Sequence, residues 1–484
     1  MFVDLKTSPE QFHDMVARAL EIVERYYAEL PNMPVMPVTT ASAIRDWLYE
    51  PLPQQGTTVG DALATIRDIV YPLCRHNGHP RFFGYVASPG TAASVIGDFL
   101  AAALNANVTS WRSAPAAAEM EHLVVDWFKT ILGYDAGATG LLVSGGSMAN
   151  FSGLAAARTA ADPEMGRFGG GGRPALRIYV SNEGHFSIHK AARLLGIGSE
   201  NVQSIPTDGS LRIDVAELER RIDVDRKAGL RPMCIVANAG TVNTGAVDPI
   251  EELANIAARH SLWLHVDGTY GGFSALAPST KYGFAGIERA DSVSLDPHKW
   301  LYTSVGCGCV LYRNPQVATA TFAHDAEYTR PVGLTRDEAF AFWDLGPELS
   351  RPFRALTVWL QIKLYGARNL AAAIESNLAC ARHFGHLVQN AEDFELLAPV
   401  GLSIFCFRCR PRNYTGDLDT LNERILIELQ RGGSSYVSNT RIGGNFALRG
   451  CALNYRTTFQ DMEHLLDDAR GAARLALASV DGAN

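Results

Sequence analysis

The stretch SLDPHKW, Ser294 to Trp300, closes a short apolar run with an acid, a proline, a histidine, a lysine and a tryptophan. An amine just past a buried strand is poorly placed to serve as a surface charge. Either Lys299 reaches solvent along the face of Trp300, or a cavity there uses it as a nucleophile. Three other stretches bear on that choice. In LLVSGGSMANFSGLAAAR, Leu141 to Arg158, an apolar strand runs through Gly145 and Gly146 into an alanine-rich helix that Ser147 is placed to cap. Two glycines let backbone approach a ligand, and the free N–H groups of a helix start attract an anion. An ordinary capped turn has the same pattern. In LWLHVDGTYGG, Asp267 ends an apolar strand. A carboxylate there is costly unless it caps a turn or holds a cationic nitrogen. In SNEGHFSIHKAA, His185 follows a strand and a glycine, either as a capped or core histidine or as a catalytic group.

Combined, the four stretches describe one ligand. A nucleophilic amine, an anion-binding helix start, a carboxylate and a flat side chain match the aldehyde, phosphate, pyridine nitrogen and ring face of pyridoxal 5′-phosphate.

The elements that must position these residues alternate. IYVSN, NVQSIP, MCIVANAG, LWLHVD and DSVSLD are short apolar strands, separated by helical segments such as IDVAELERRIDVDRKAG and PIEELANIAARHS. That rhythm predicts an α/β fold with a largely parallel sheet and its site at the strand C-terminal ends. Helices and Pro/Gly-rich chain occupy residues 1–95, the alternating region 96–369, and a smaller α/β unit 370–484. The glycine-rich GRFGGGGRP, Gly166 to Pro174, has no strand leading into a helix and reads as a linker.

The composition narrows the function classes. With 47% hydrophobic and 19% charged residues and a net charge of −8, the chain is globular and unsuited to nucleic acid or an anionic membrane. No apolar stretch is long enough to span a bilayer. The N-terminal residues carry acids and open a helix, with Ser8 as cap and Pro9 at its first position. This is not the basic, apolar start of a signal peptide, so a cytoplasmic location is expected. Eight cysteines in 484 residues do not make a disulfide framework. Cys406 and Cys409 form a CxxC, but no second pair stands at zinc spacing; buried thiols are expected and no metal is assigned.

Seven runs resemble, in order, the group II pyridoxal-phosphate-dependent amino acid decarboxylases, the family of aromatic-L-amino-acid, glutamate and tyrosine decarboxylases. They are HPRFFGY (79–85), TSWRSAPAAAEMEH (109–122), SGGSMAN (144–150), ANAGTVNTGAVDP (237–249), HVDGTYGG (265–272), DPHKW (296–300) and SRPFRALTVW (350–359). The resemblance implies fold type I, aspartate aminotransferase-like, with a mixed, mostly parallel seven-stranded sheet and a small C-terminal domain. It also implies an N-terminal segment that packs across a homodimer.

By the same resemblance, Lys299 is the Schiff-base lysine, His298 its neighbour near the phosphate, and Gly146 and Ser147 the phosphate-binding turn. Asp267, 32 residues before Lys299, pairs with the pyridine nitrogen, and His185 stacks on the ring. Tyr328, 29 residues after Lys299, matches a loop tyrosine that returns a proton to Cα; relatives with phenylalanine there tend to form an aldehyde instead. Tyr85, Val86 and Ser88, and Asn107 and Thr109 from the partner copy, fall at the side-chain pocket. An aromatic L-amino acid is the expected substrate, with an acidic amino acid or aldehyde formation as the alternatives; Arg112 is the residue that would suit an acidic side chain. There are four departures from the family pattern: Val242, the pair Gly268-Thr269 where Ala-Ala is common, Asp296 where animal aromatic decarboxylases have asparagine, and Met148. Thr269 is placed under the cofactor ring.

Overall fold

The computed structural model describes residues 5–324, 333, 335 and 338–481. Seven strands form the main sheet: β1 Thr139–Val143, β2 Leu176–Ser181, β3 Val202–Ile205, β4 Arg231–Asn238, β5 Trp263–Gly268, β6 Ser292–Leu295 and β7 Gly308–Tyr312. Their order is β1-β7-β6-β5-β4-β2-β3. β6, β5, β4, β2 and β3 are parallel, and β7 runs against both β1 and β6. β1 therefore points the same way as the parallel set. The C-terminal ends of β1, β2, β4, β5 and β6 all open on one edge of the sheet.

Strand side chains alternate between faces, and here each face has its own core. Ile178, Val180, Cys234 and Val236 pack with Leu154, Ile188 and Ala191 from helices Gly146–Ala161 and Ser187–Leu194. Tyr179, Ile235, Leu264 and Val266 pack with Leu218, Ile222, Leu253 and Ile256 from helices Val215–Lys227 and Ile250–His260. A sheet covered on both faces needs strands apolar throughout, which is why MCIVAN and WLHVD do not alternate with polar residues.

A second sheet, order β10-β11-β9-β8, is wholly antiparallel: β8 Phe394–Leu396, β9 Ile404–Cys409, β10 Ser438–Ile442 and β11 Asn445–Cys451. Its core joins Phe405, Phe407 and Leu448 to Leu421, Ile425, Met462 and Leu465 of two helices. Gly443 and Gly444 turn β10 into β11, both at positive φ as a two-residue hairpin demands. Cys406 and Cys409 lie buried in β9, and burial pushes both thiols up to about 12. Helix Arg354–Gln389 changes direction at Gly366, whose φ of 71° is not helical. The glycine-rich segment is tied at its end by Arg173, whose Nη1 lies 2.8 Å from Asp162 Oδ1. Helix Pro9–Glu29 starts at the Ser8 capping box and buries none of its residues in this chain.

One buried ion pair joins the first strand to the chain around Thr109. Arg351 donates through Nη1 to Val108 O (2.7 Å) and through Nη2 to Leu142 O (2.7 Å) and to Glu121. Glu121 in turn accepts from Leu142 N at 2.8 Å, and both side chains are fully enclosed. Removing one partner leaves a charge in a dry interior. Glu121→Ala should cost about 3–5 kcal/mol of stability, read from the midpoint of urea unfolding; an unchanged midpoint would show that the pair carries no such weight.

Candidate active site

Asp267 is the penultimate residue of β5 and pairs in register with Ser294 of β6. Its side chain is 4% exposed. Oδ1 accepts from the Thr269 hydroxyl (2.6 Å) and backbone N–H (3.2 Å), and Oδ2 from Asn150 Nδ2 (2.9 Å). Burial pushes the acid up, but the Thr269 hydroxyl and the fields of His185, His265 and Lys299 outweigh it, holding the carboxyl below its usual range. Thr269 therefore has a definite task, since its hydroxyl supplies the shortest of these bonds.

One strand over, Lys299 sits on the single turn Pro297–Trp300 after β6. Trp300 is wholly buried and meets Tyr270 edge-on at 5.6 Å, so it offers Lys299 no exposed face to follow outward. The lysine side chain is 18% exposed, with Nζ 3.7 Å from Asp296 Oδ2. Asp296, itself buried, also accepts from Gly146 N at 3.3 Å and faces His298 Nδ1 at 2.5 Å. The lysine turn and the glycine turn are thus joined through one carboxylate. A Cβ on Gly146 would come within 2.6 Å of Thr269 Cγ2, so only glycine lets the helix start this close to β5.

The helix after β1 begins at Gly146 with Gly145 as its cap residue and no side-chain cap. This corrects the expectation that Ser147 caps it: Gly145 already has the non-helical backbone a cap needs, and Ser147 lies one step inside the first turn with an exposed side chain. His185 follows β2, with Nδ1 2.7 Å from Ser187 Oγ and its ring 4.2 Å from that of Phe186. Burial lowers its pKa, Asp267 opposes this, and Lys299 and Lys190 add to it.

Tyr85 is half exposed, at a positive φ of 57°. Arg449, buried in β11, holds that backbone by donating to Tyr85 O at 2.9 Å, and it also binds the carbonyls of Val242 and Asn243 (3.1 Å). The backbone of Val242 is thus engaged although its side chain offers no hydroxyl. Ser88 donates to His298 O at 2.7 Å, which puts it against the lysine turn. Thr109 is buried with its hydroxyl unpartnered, and Asn107 accepts from Arg351 N at 2.9 Å. Arg112 is exposed. Tyr328 lies outside the described residues. Not foreseen from sequence were Asn150, Ser187, His265 and Arg449. His265 left a signal: a histidine inside an apolar strand, two residues before Asp267, shares its face.

A model of the pyridoxal-dependent decarboxylase conserved domain matches residues 43–410. An aromatic-L-amino-acid decarboxylase of Bacillus atrophaeus is 34% identical over 468 residues, 96% of each chain. A phenylacetaldehyde synthase of Petunia hybrida is 30% identical over 458 residues, 91% of this chain and 90% of its own. Among solved structures, Oryza sativa TDC with PLP and tryptamine superposes with a TM-score of 0.91 at 29% identity, over 98% of this chain and 99% of that one. The chain belongs to the pyridoxal-dependent decarboxylase family. It is a carboxy-lyase whose cofactor is pyridoxal 5′-phosphate.

The helix over this site rides close to the sheet at Gly153, where a Cβ would stand 2.6 Å from His265 Cε1. His265 is pinned by hydrogen bonds on both nitrogens and cannot move aside. Overpacking costs about 1–3 kcal/mol, against roughly 1 kcal/mol that alanine returns in helix propensity. Gly153→Ala should therefore unfold at lower urea concentration than the parent; a stabilised variant would mean that the contact relaxes freely.

Proposed function

We propose that this enzyme decarboxylates an aromatic L-amino acid to its amine, at a site formed by Lys299, Asp267, His185, Gly146, Ser147, Thr269 and His298 and completed by a second copy of the chain. The observation that carries the reading is the buried, ionised carboxyl of Asp267 beside the enclosed amine of Lys299. An acid kept charged in so dry a place suits a cationic partner in the space before it, and a protonated pyridine nitrogen is one. The glycine turn fits a phosphate: a Cβ on Gly145 would meet nothing within 4 Å, which leaves backbone open to a ligand at a helix start.

Lys299 would hold the cofactor's aldehyde carbon through its amine. The first turn at Gly146 and Ser147 would take the phosphate, with His298 beside it, and His185 would cover the ring. Thr269 would act through Asp267, keeping one carboxylate oxygen occupied so that the charge stays in place. Bound there, the cofactor takes up the electron pair left at Cα when CO2 departs. Tyr328 would return a proton to Cα.

Support for an aromatic side chain comes from the Bacillus and Oryza relatives and from positions 85, 86, 88, 107 and 109. These are Tyr, Val, Ser, Asn and Thr, none of them a cation to pair with a side-chain carboxylate. Thr109 and Asn107 would reach the site of the partner copy, as Tyr85 and Ser88 line their own. The homodimer is supported by apolar helix faces left open in one chain: Ile96, Phe99, Leu100 and Leu104 on helix Ala92–Leu104, with Phe12, Leu20 and Trp47 before it. All eight cysteines are unpaired, which suits the reducing cytoplasm. Aldehyde formation is the second reading, favoured by the likeness to the Petunia synthase.

Borohydride treatment of the loaded protein should fix the cofactor on Lys299, as peptide mapping will read; reduced cofactor on another lysine would remove Lys299 from the role. An assay of aromatic and acidic amino acids, following CO2, amine and peroxide together, should show amine equal to CO2 with an aromatic substrate. Tyr328→Phe should keep cofactor binding and CO2 release, lose amine formation by on the order of 10²–10⁴-fold and gain aldehyde and peroxide. Amine formation at the parental rate would make Tyr328 a bystander.

A further inference from the structure

A chain of buried polar side chains crosses from the sheet to the 146–161 helix, and its hydrogen bonds have only one consistent direction. The carboxylate of Asp267 can only accept. Asn150 Nδ2, 2.9 Å from Asp267 Oδ2, is therefore the NH2 end of that amide. Asn150 Oδ1 then faces His265 Nε2 at 2.9 Å, and that nitrogen must carry a proton. His265 is wholly buried, which lowers its pKa to about 4 and keeps it neutral. Its bare Nδ1 accepts from Ser292 Oγ at 2.8 Å, and Ser292 Oγ accepts from Trp263 Nε1 at 2.8 Å. In the other direction, the second N–H of Asn150 goes to Ser187 Oγ at 3.0 Å. The Ser187 proton is then left for His185 Nδ1, 2.7 Å away, and the Ser187 backbone N–H points at the same nitrogen from 3.3 Å. Two donors converge on Nδ1. His185 must carry its proton on Nε2.

We propose that Asn150 and Ser187 are positioning residues that relay the hydrogen-bond direction set by the acceptor-only Asp267 to His185, so that His185 meets the bound ligand as a neutral Nε2–H donor and is not the proton source for Cα. To become a cation, His185 would need a proton on Nδ1, where two donors already point. The charged groups facing it are Asp267 from β5, Lys299 from the lysine turn and Lys190 from the helix that follows it; Asp267 favours the cation, and the two lysines and burial oppose it. This deepens the reading above and rests on it only for what lies in front of His185.

The test uses protein labelled with 15N-histidine, cofactor-free and cofactor-loaded, with the His185 resonance identified by its loss in His185→Gln. In the parent, His185 is expected as the neutral Nε2–H tautomer. A donor to Nδ1 stabilises the neutral form, so removing it raises the pKa. In Ser187→Ala, and separately in Asn150→Ala, protonated Nδ1 should appear and the titration midpoint should move to higher pH. The acid limb of kcat/KM should move the same way, which a merely structural loss would not cause. Ser187→Thr, which keeps the hydroxyl, should behave as the parent. An Nδ1–H tautomer in the parent, or an unchanged midpoint in folded Ser187→Ala, would overturn the proposal. Should Asn150→Ala not fold, Ser187→Ala decides alone. The tautomer is read without cofactor, so its outcome is independent of the borohydride result on Lys299.

Discussion

A charged carboxylate enclosed by protein is the constraint around which this molecule is arranged. Asp267 is 4% exposed, and burial alone would neutralise it. It stays ionised because Thr269 from the loop after β5 and Asn150 from the helix after β1 donate to it, and the Lys299 amine after β6 adds a cation's field. Those contacts need the helix very near the sheet, and glycine at 146 and 153 makes the approach sterically feasible. Gly153, a weak helix former in the middle of an otherwise alanine-rich helix, is thereby explained by what faces it.

The same economy of position appears at the rim. Arg351 and Glu121 tie Leu142, near the end of β1, to the segment carrying Asn107 and Thr109. Arg449, from the second sheet, grips three carbonyls of the chain around the site and holds Tyr85 in a left-handed backbone conformation. Both arginines are buried and spend their donors largely on backbone oxygens. A guanidinium, with five donors in a fixed plane, can join three segments at once, which a lysine in either place could not do with the same geometry.

Much of the fold could be read before any coordinates. The strands IYVSN, MCIVANAG, LWLHVD and DSVSLD appear as β2, β4, β5 and β6, because strands covered on both faces are apolar without interruption and stand out in composition. The smaller α/β unit read after residue 370 appears as the second sheet with its helices. β8 and β10 were not foreseen. β10, SNTRI, is polar in four of its five residues and takes its identity from pairing with β11 across the Gly443–Gly444 turn. The cap of the site helix was misplaced by two residues, since a serine and a glycine are both acceptable caps and only backbone angles distinguish them.

What the sequence by itself determined was the family, the cofactor and the α/β fold, because each is carried by contiguous runs whose residue types are local chemistry: an amine after a strand, two glycines before a helix, an acid at a strand end. What only the tertiary structure decided was how those groups constrain one another. Asn150 stands 117 residues from Asp267 and 115 from His265, and nothing in their local sequence says that they touch. The direction of every hydrogen bond in that chain follows from one buried carboxylate that can only accept. Direction of this kind is a property of an enclosed network and is absent from any single stretch of residues.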